Sequence, residues 1–104
     1  MKSELRYGII GAGSMGREHI ENIKVMGGAT VTAISDPHTP SQEAALAMAP
    51  GATVFTDHRA LLESGLVDAV VIATPNDTHA AVLKDVLDVL AAHAARADNP
   101  VPKL

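Results

Sequence analysis

Short apolar runs alternate along the chain with longer segments in which apolar residues recur at helical spacing. Such runs are typical of buried parallel strands, and the longer segments are typical of helices that cover a sheet. The runs predict strands over residues 5–10, 29–34, 52–55 and 67–73. The periodic segments predict helices over residues 14–26 and 41–49, from about 57 to 64, and from about 77 to 96.

Four strands that alternate with helices form a parallel sheet with right-handed crossovers. We therefore predict an α/β fold with a parallel sheet, and the G-x-G-x-x-G turn after the first strand, described below, indicates a Rossmann-type doubly wound sheet with strand order 3-2-1-4. Residues 1–97 are expected to form this single domain. The proline-containing residues 98–104 are expected to be a linker or the start of a missing remainder.

Composition narrows the possible functions. Apolar residues make up 47% of the chain and charged residues 19%, which indicates a globular domain. A net charge of -4 without a basic cluster disfavours nucleic acid and membrane surfaces as partners. The absence of cysteine excludes disulfides and thiolate metal sites, and no apolar run is long enough for a membrane span. We expect a cytoplasmic protein without a metal site.

Three glycines with the spacing G-x-G-x-x-G join the first strand to the first helix. Gly11 permits a tight turn, Gly13 lets a pyrophosphate approach the backbone, and Gly16 lets the helix pack on the strand. The anion would be held by N–H groups near Ser14 and Met15 and by the helix dipole. A purely structural turn is the alternative for the glycines alone.

An acidic residue ends the second predicted strand. Asp36 follows Gly16 by about 20 residues, the distance at which a carboxylate accepts hydrogen bonds from the adenosine ribose. Its alternative role is to start a turn with Pro37. A carboxylate here would repel a 2′-phosphate, and "DPHTP" contains no arginine. NAD is therefore favoured over NADP as the cofactor.

A polar turn follows the fourth predicted strand, at the sheet edge where ligands bind. Thr74, Pro75 and Asn76 are placed to line the cofactor, and His79 opens the last helix. The alternative is that Asn76 or Asp77 only caps this helix and that His79 is an exposed first-turn residue.

The segments "GIIGAGSMGREHIENI", "ISDP" and "FTDHRALLESGLVDAVVIATPNDTH" resemble the N-terminal domain of the glucose-fructose oxidoreductase / inositol dehydrogenase / MocA-like family. The resemblance runs from about residue 5 to 92. It implies a two-domain, NAD(P)-dependent oxidoreductase that acts on hydroxyls of sugars, inositols or related polyols. The first domain holds the dinucleotide, a second domain supplies most of the substrate site, and we expect a homo-oligomer.

The resemblance also assigns roles to particular residues. The pyrophosphate would be held by Gly11, Gly13, Ser14, Met15 and Gly16, and the adenosine ribose by Asp36. The path toward the nicotinamide would be lined by Thr74, Pro75, Asn76 and His79. His19 and Asn22 also match family positions on the first helix, but we expect them to be satisfied, partly buried polar groups of that helix. Solvent-facing or loop positions are expected for His38, His58 and His93.

One family feature is missing from the chain. Family members continue into a fifth strand that ends in Glu-Lys-Pro, whose lysine contributes to catalysis, whereas "PVPKL" has only Lys103, which we interpret as a tail residue. The chain is therefore expected to be the front part of a longer enzyme, inactive by itself and without a catalytic residue. The alternatives are a natural single-domain protein, a non-catalytic NAD-binding sensor, and an interaction domain with an empty glycine loop.

Overall fold

A computed structural model of the chain describes residues 5–94, apart from the side chains of Asn76, His93 and Ala94. Its parallel sheet has the predicted order β3-β2-β1-β4. The strands are β1 (Leu5–Ile10), β2 (Ala29–Ser35), β3 (Thr53–Phe55) and β4 (Ala69–Ile72). The predicted α/β class and strand order are thus confirmed.

Four helices connect and follow these strands: α1 (Ser14–Met26), α2 (Thr39–Met48), α3 (His58–Leu62) and α4 (Asn76–Ala94). Helix α2 begins two residues before the predicted start because Pro40 is accepted in its first turn. Helix α3 is shorter than predicted and is capped by Asp57, which accepts a hydrogen bond from the Arg59 N–H. The predicted end of α4 near residue 96, the segment 98–104 and Lys103 lie outside the described residues.

The sheet separates two apolar layers, because successive strand residues face opposite sides. Ile9 packs in a cluster with α1 and α2, and Ile10 packs in a second cluster with α3 and α4. Alanines at several core positions let the helices lie close to the sheet. Helices therefore cover both faces, and the carboxyl ends of the strands remain free for a site.

Strand β1 contains a glycine whose role the sequence pattern did not reveal. A Cβ at Gly8 would lie 2.8 Å from Leu61 Cδ2 and 2.8 Å from Val67 Cγ1. The absence of a side chain at Gly8 therefore lets Leu61 of α3 and Val67, which precedes β4, pack against the middle of β1.

An ion pair fixes the start of β4 against β1. The Arg6 guanidinium donates to Asp68 Oδ1 at 3.0 Å and to Oδ2 at 3.2 Å, and the Arg6 N–H donates to Oδ2 at 2.9 Å. This carboxylate raises the pKa of Arg6. This ion pair helps to fix the register of the parallel strands β1 and β4, whose carboxyl ends lie at the same edge of the sheet.

Candidate functional site

A cleft of about 750 Å³ opens at the carboxyl edge of the sheet. It lies where the chain leaves β1 toward α1 while the neighbouring β4 leaves toward α4, the point at which open parallel sheets bind ligands. The cleft is lined by Ile10, Gly11, Gly13, Ser14, Met15, Ser35, Asp36, Pro37, Ser41, Thr56, His58, Ala73, Thr74, Pro75, Asp77, Thr78, Ala81 and Val82.

The amino end of α1 faces this cleft with free hydrogen-bond donors. The first intrahelical bond runs from the Arg17 N–H to the Gly13 carbonyl at 2.9 Å, so the preceding N–H groups have no acceptor within the helix. Gly13 offers no capping side chain, and the first turn carries no acidic residue. These donors and the positive end of the helix dipole are suited to an anion.

The three glycines of the loop have different surroundings. Gly11 has φ +99°, and a Cβ there would lie 2.7 Å from the Ala73 carbonyl oxygen. A Cβ at Gly16 would collide with the carbonyl oxygen of Gly11. Around Gly13, in contrast, nothing lies within 4 Å of a Cβ position. The turn therefore needs Gly11 and helix packing needs Gly16, whereas packing within the described residues does not require a glycine at position 13.

Asp36 joins the glycine loop to the loop after β2. Its Oδ2 accepts a hydrogen bond from the Ala12 N–H at 2.8 Å, and its Oδ1 accepts one from the His38 N–H at 2.8 Å. A carboxylate has about four lone-pair sites, so both oxygens retain capacity for ribose hydroxyls. Asp36 lines the cleft. Its bond to the His38 N–H forms the turn that was its alternative predicted role, whereas its bond to the Ala12 N–H was not predicted.

Only some of the residues that follow β4 line the cleft, because helix α4 begins at Asn76. Thr74 and Pro75 line the cleft, as do Asp77 and Thr78, which had no predicted role in binding. Asn76 is the first residue of the helix, and its side chain lies outside the description. His79 is half-buried but does not line the cleft. The helical phase explains this, because the cleft-lining positions Asp77, Thr78 and Ala81 lie on a different side of α4 from His79.

Two buried hydroxyls of the cleft lining have no hydrogen-bond partner among the described residues. They are Ser35 Oγ, on a residue only 2% exposed, and Thr74 Oγ1. A buried polar group without a partner costs about 1–3 kcal/mol. Both residues line the cleft, so these hydroxyls are suited to pair with polar groups of a ligand.

The expectation that His58 is solvent-facing or a loop residue is wrong. Its side chain is 23% exposed, lies in the first turn of α3, and contacts Asp85 of α4 through Nε2 at 2.8 Å from Oδ2. The two residues are distant in sequence, and only the packing of α3 against α4 brings them together.

The other predicted polar positions differ in outcome. His38 is exposed, as predicted, and its Nδ1 lies 2.9 Å from Ser41 Oγ. His19 is half-buried, as predicted, but Asn22 is exposed rather than partly buried because its helical phase points it away from the sheet. The side chain of His93 lies outside the described part of the chain.

The contact with His58 predicts a pH-dependent contribution to stability. The hydrogen bond from His58 and the charge of Arg59 hold the pKa of the Asp85 carboxyl below its ordinary 3.8. A lowered folded-state pKa stabilises the fold above the ordinary value, and this is lost as the pH falls through the lowered value. We expect Asp85→Asn to lower the Tm at neutral pH, with the gap to the unmodified chain closing as the pH falls below the lowered pKa of Asp85.

Thermal unfolding followed by circular dichroism across this pH range measures the difference. Asp88→Asn is the matched control, because Asp88 lies on the same helix but does not contact His58, and it should show a smaller gap at neutral pH. A Tm gap between Asp85→Asn and the unmodified chain that stays constant from neutral to acid would contradict the prediction.

Neither a metal centre nor a membrane span is found in the described part of the chain. No three His, Asp or Glu side chains there are grouped closely enough to hold a metal ion. None of the helices found there has both the length and the apolar character needed to cross a bilayer.

Comparison with known proteins identifies the family to which the chain belongs. Residues 5–92 match the glucose-fructose oxidoreductase / inositol dehydrogenase / MocA family model, described as an oxidoreductase family with an NAD-binding Rossmann fold. The chain belongs to this family, as its resemblance predicted.

Several relatives share a common name. The chain is 46% identical over 81 residues to an inositol 2-dehydrogenase of Leifsonia xyli, covering 77% of this chain and 24% of that protein. It is 40% identical over 89 residues to an inositol 2-dehydrogenase of Corynebacterium glutamicum, covering 85% and 26%. The chain thus spans about a quarter of the length of these relatives.

Solved structures agree with this assignment. A myo-inositol dehydrogenase from Lactobacillus casei in complex with NAD(H) and myo-inositol superposes with a TM-score of 0.75 at 33% identity, covering 92% of this chain and 26% of that one. The WlbA dehydrogenase from Bordetella pertussis in complex with NADH and UDP-GlcNAcA gives a TM-score of 0.76 at 31% identity, covering 84% and 26%.

Proposed function

We propose that this chain is the NAD-binding domain of an oxidoreductase that transfers hydride between the cofactor and a carbon of an inositol, sugar or related polyol. The observation that carries the proposal is the uncapped amino end of α1 beneath the open space at Gly13, with Asp36 beside it. Family membership and the ligands named for the Lactobacillus casei and Bordetella pertussis structures support it.

The roles of the site residues follow from their positions. The pyrophosphate would lie against the N–H groups of Ser14, Met15 and Gly16, while the Asp36 carboxylate accepts hydrogen bonds from the adenosine ribose. Thr74 and Pro75 line the cleft, and in this proposal they lie beside the path toward the nicotinamide. His79 and Asn76 remain predictions from the resemblance. When bound, the nicotinamide supplies hydride chemistry, and the residues of this chain bind and orient it.

Asp36 also supports the choice of NAD over NADP. We expect Asp36→Ala to weaken NAD binding by about 1.5–3 kcal/mol, through loss of a charge-assisted hydrogen bond, and to leave NADP binding nearly unchanged. The substitution also removes the acceptor for the Ala12 and His38 N–H groups. Damage to the loop would weaken both cofactors, so the NAD to NADP ratio isolates the ribose contact.

Isothermal titration with NAD and NADP measures this ratio. Glu43→Ala is the control, because it makes the same charge change at an exposed position of α2 that does not line the cleft. Equal losses of affinity for the two cofactors in Asp36→Ala would remove Asp36 from the ribose site. A chain that binds neither NAD nor ADP-ribose would contradict the proposed function.

Hydride transfer is proposed for a full-length protein that contains this domain together with a region equivalent to the rest of the relatives. Formation of NADH, followed by its absorbance with myo-inositol, other inositols or glucose, tests it. NAD binding without turnover of any polyol would instead favour a sensor. The domain boundary at residue 97, a cytoplasmic location and a homo-oligomeric state remain predictions from the sequence and the resemblance.

A further inference from the structure

His58 and Asp85 form a polar pair to which the proposed function assigns no role. We call the part of the cleft beside His58 and Thr56 its outer end. His58 follows β3, which lies beyond β2 as seen from the glycine loop, and it lines the cleft together with Thr56. Across from it, Ala81 and Val82 of α4 provide an apolar surface. If the pyrophosphate lies at α1 and the ribose at Asp36, the base of the dinucleotide extends into this outer end.

Asp85, which does not line the cleft, contacts the His58 ring. It follows Ala81 by one helical turn on the same side of α4, and its Oδ2 lies 2.8 Å from His58 Nε2. An ionised carboxylate only accepts hydrogen bonds, so Nε2 must carry the proton. In the neutral ring this leaves the lone pair on Nδ1, because the partner of one ring nitrogen sets the state of the other.

The neighbouring Asp57 does not occupy Nδ1. Its Oδ1 lies 3.8 Å from this nitrogen, beyond hydrogen-bond distance. Arg59, the next residue in the chain, is directed to Asp85 and Asp88. His58 is therefore a half-buried ring on the cleft wall. Nε2 donates to Asp85, and among the described residues Nδ1 has no partner within hydrogen-bond distance.

We propose that His58 is a specificity-determining residue for the base of the dinucleotide, with Nδ1 accepting a hydrogen bond from the 6-amino group of adenine and Asp85 acting as its positioning residue. This inference rests on the proposed binding of NAD. A base with a 6-oxo group, such as hypoxanthine, presents an acceptor to the same nitrogen and is disfavoured, since a site built to pair with a donor rejects an analogue that lacks it.

Isothermal titration of the chain with NAD and with nicotinamide hypoxanthine dinucleotide tests the proposal at neutral pH. We expect the unmodified chain to bind NAD about tenfold more tightly than the hypoxanthine analogue. His58→Ala should bind the two with nearly equal affinity. Asp85→Ala, which keeps the ring but frees it to take either tautomer, should also reduce the preference. Thermal unfolding of each variant confirms that it is folded.

Arg59→Ala is the matched control. Arg59 belongs to the same helix and approaches Asp85 Oδ1 at 3.6 Å, but it does not line the cleft, so the tenfold preference should persist. Loss of the preference in Arg59→Ala, or its persistence in folded His58→Ala, would overturn the inference. Equal binding of both dinucleotides by the unmodified chain would overturn it while leaving the proposed function intact. Absence of any NAD binding would overturn both.

Discussion

The Gly13→Val variant is expected to lose dinucleotide binding by about 100-fold or more while the chain stays folded. The space around Gly13 is open within 4 Å of a Cβ position, and its φ of -71° and ψ of -165° suit any residue. A branched side chain would therefore fit the free domain. It would also stand in front of the uncapped N–H groups of α1, where a pyrophosphate has to approach.

The stability of this variant is expected to change by no more than about 1 kcal/mol. Valine is a poorer N-cap than glycine, but it also restricts the unfolded chain, and the two effects oppose each other. Titration with NAD and ADP-ribose measures the loss of binding, and urea unfolding measures stability. Gly51→Val is the control, because Gly51 also has open space around it but does not line the cleft.

Gly51→Val should bind NAD like the unmodified chain. Unchanged NAD affinity in a folded Gly13→Val protein would show that the glycine loop does not hold the phosphates, and the proposed site would have to be abandoned. Loss of folding in Gly13→Val would instead show that position 13 has a packing role, contrary to the open surroundings found here.

The first half of the fold is predictable from sequence because glycines mark its boundaries. Strand β1 and helix α1 occur at the predicted residues, between the Gly11 turn and the pair Gly27 and Gly28, which both have positive φ. Later boundaries are less well marked. Strand β4 begins after the predicted start of its apolar run, at Ala69. Asp68, inside that run, instead accepts a hydrogen bond from the Arg6 N–H through its side chain.

Contacts between distant elements were not predictable from spacing. The His58–Asp85 pair depends on how α3 lies against α4, and the hydrogen bond from the Ala12 N–H to Asp36 depends on the path of two loops. Gly8 gave no motif signal, because its neighbours Leu61 and Val67 come from another part of the chain. Local pattern thus places the strand ends that form the site, whereas tertiary packing decides which side chains face it.

The Gly16→Ala variant is expected to destabilise the fold, although glycine to alanine in an exposed helix usually stabilises it by about 1 kcal/mol. An added Cβ would collide with the Gly11 carbonyl oxygen and would lie 3.4 Å from Ile9 Cγ2. Gly11 is itself closely packed, because a Cβ built on it would lie 2.7 Å from the Ala73 carbonyl oxygen. Helix α1 would have to move away from the sheet and expose part of its buried face.

Overpacking of this kind costs about 1–3 kcal/mol, and more when backbone atoms must shift, so we expect a net loss of about 3 kcal/mol in the free energy of unfolding. That is a large part of the 5–15 kcal/mol typical of a whole domain. Urea unfolding measures it, with Gly13→Ala as the control expected to lie within about 1 kcal/mol of the unmodified chain. A midpoint for Gly16→Ala equal to or above that of the unmodified chain would show that α1 does not rest on the glycine turn, because only an unhindered position gains stability from alanine.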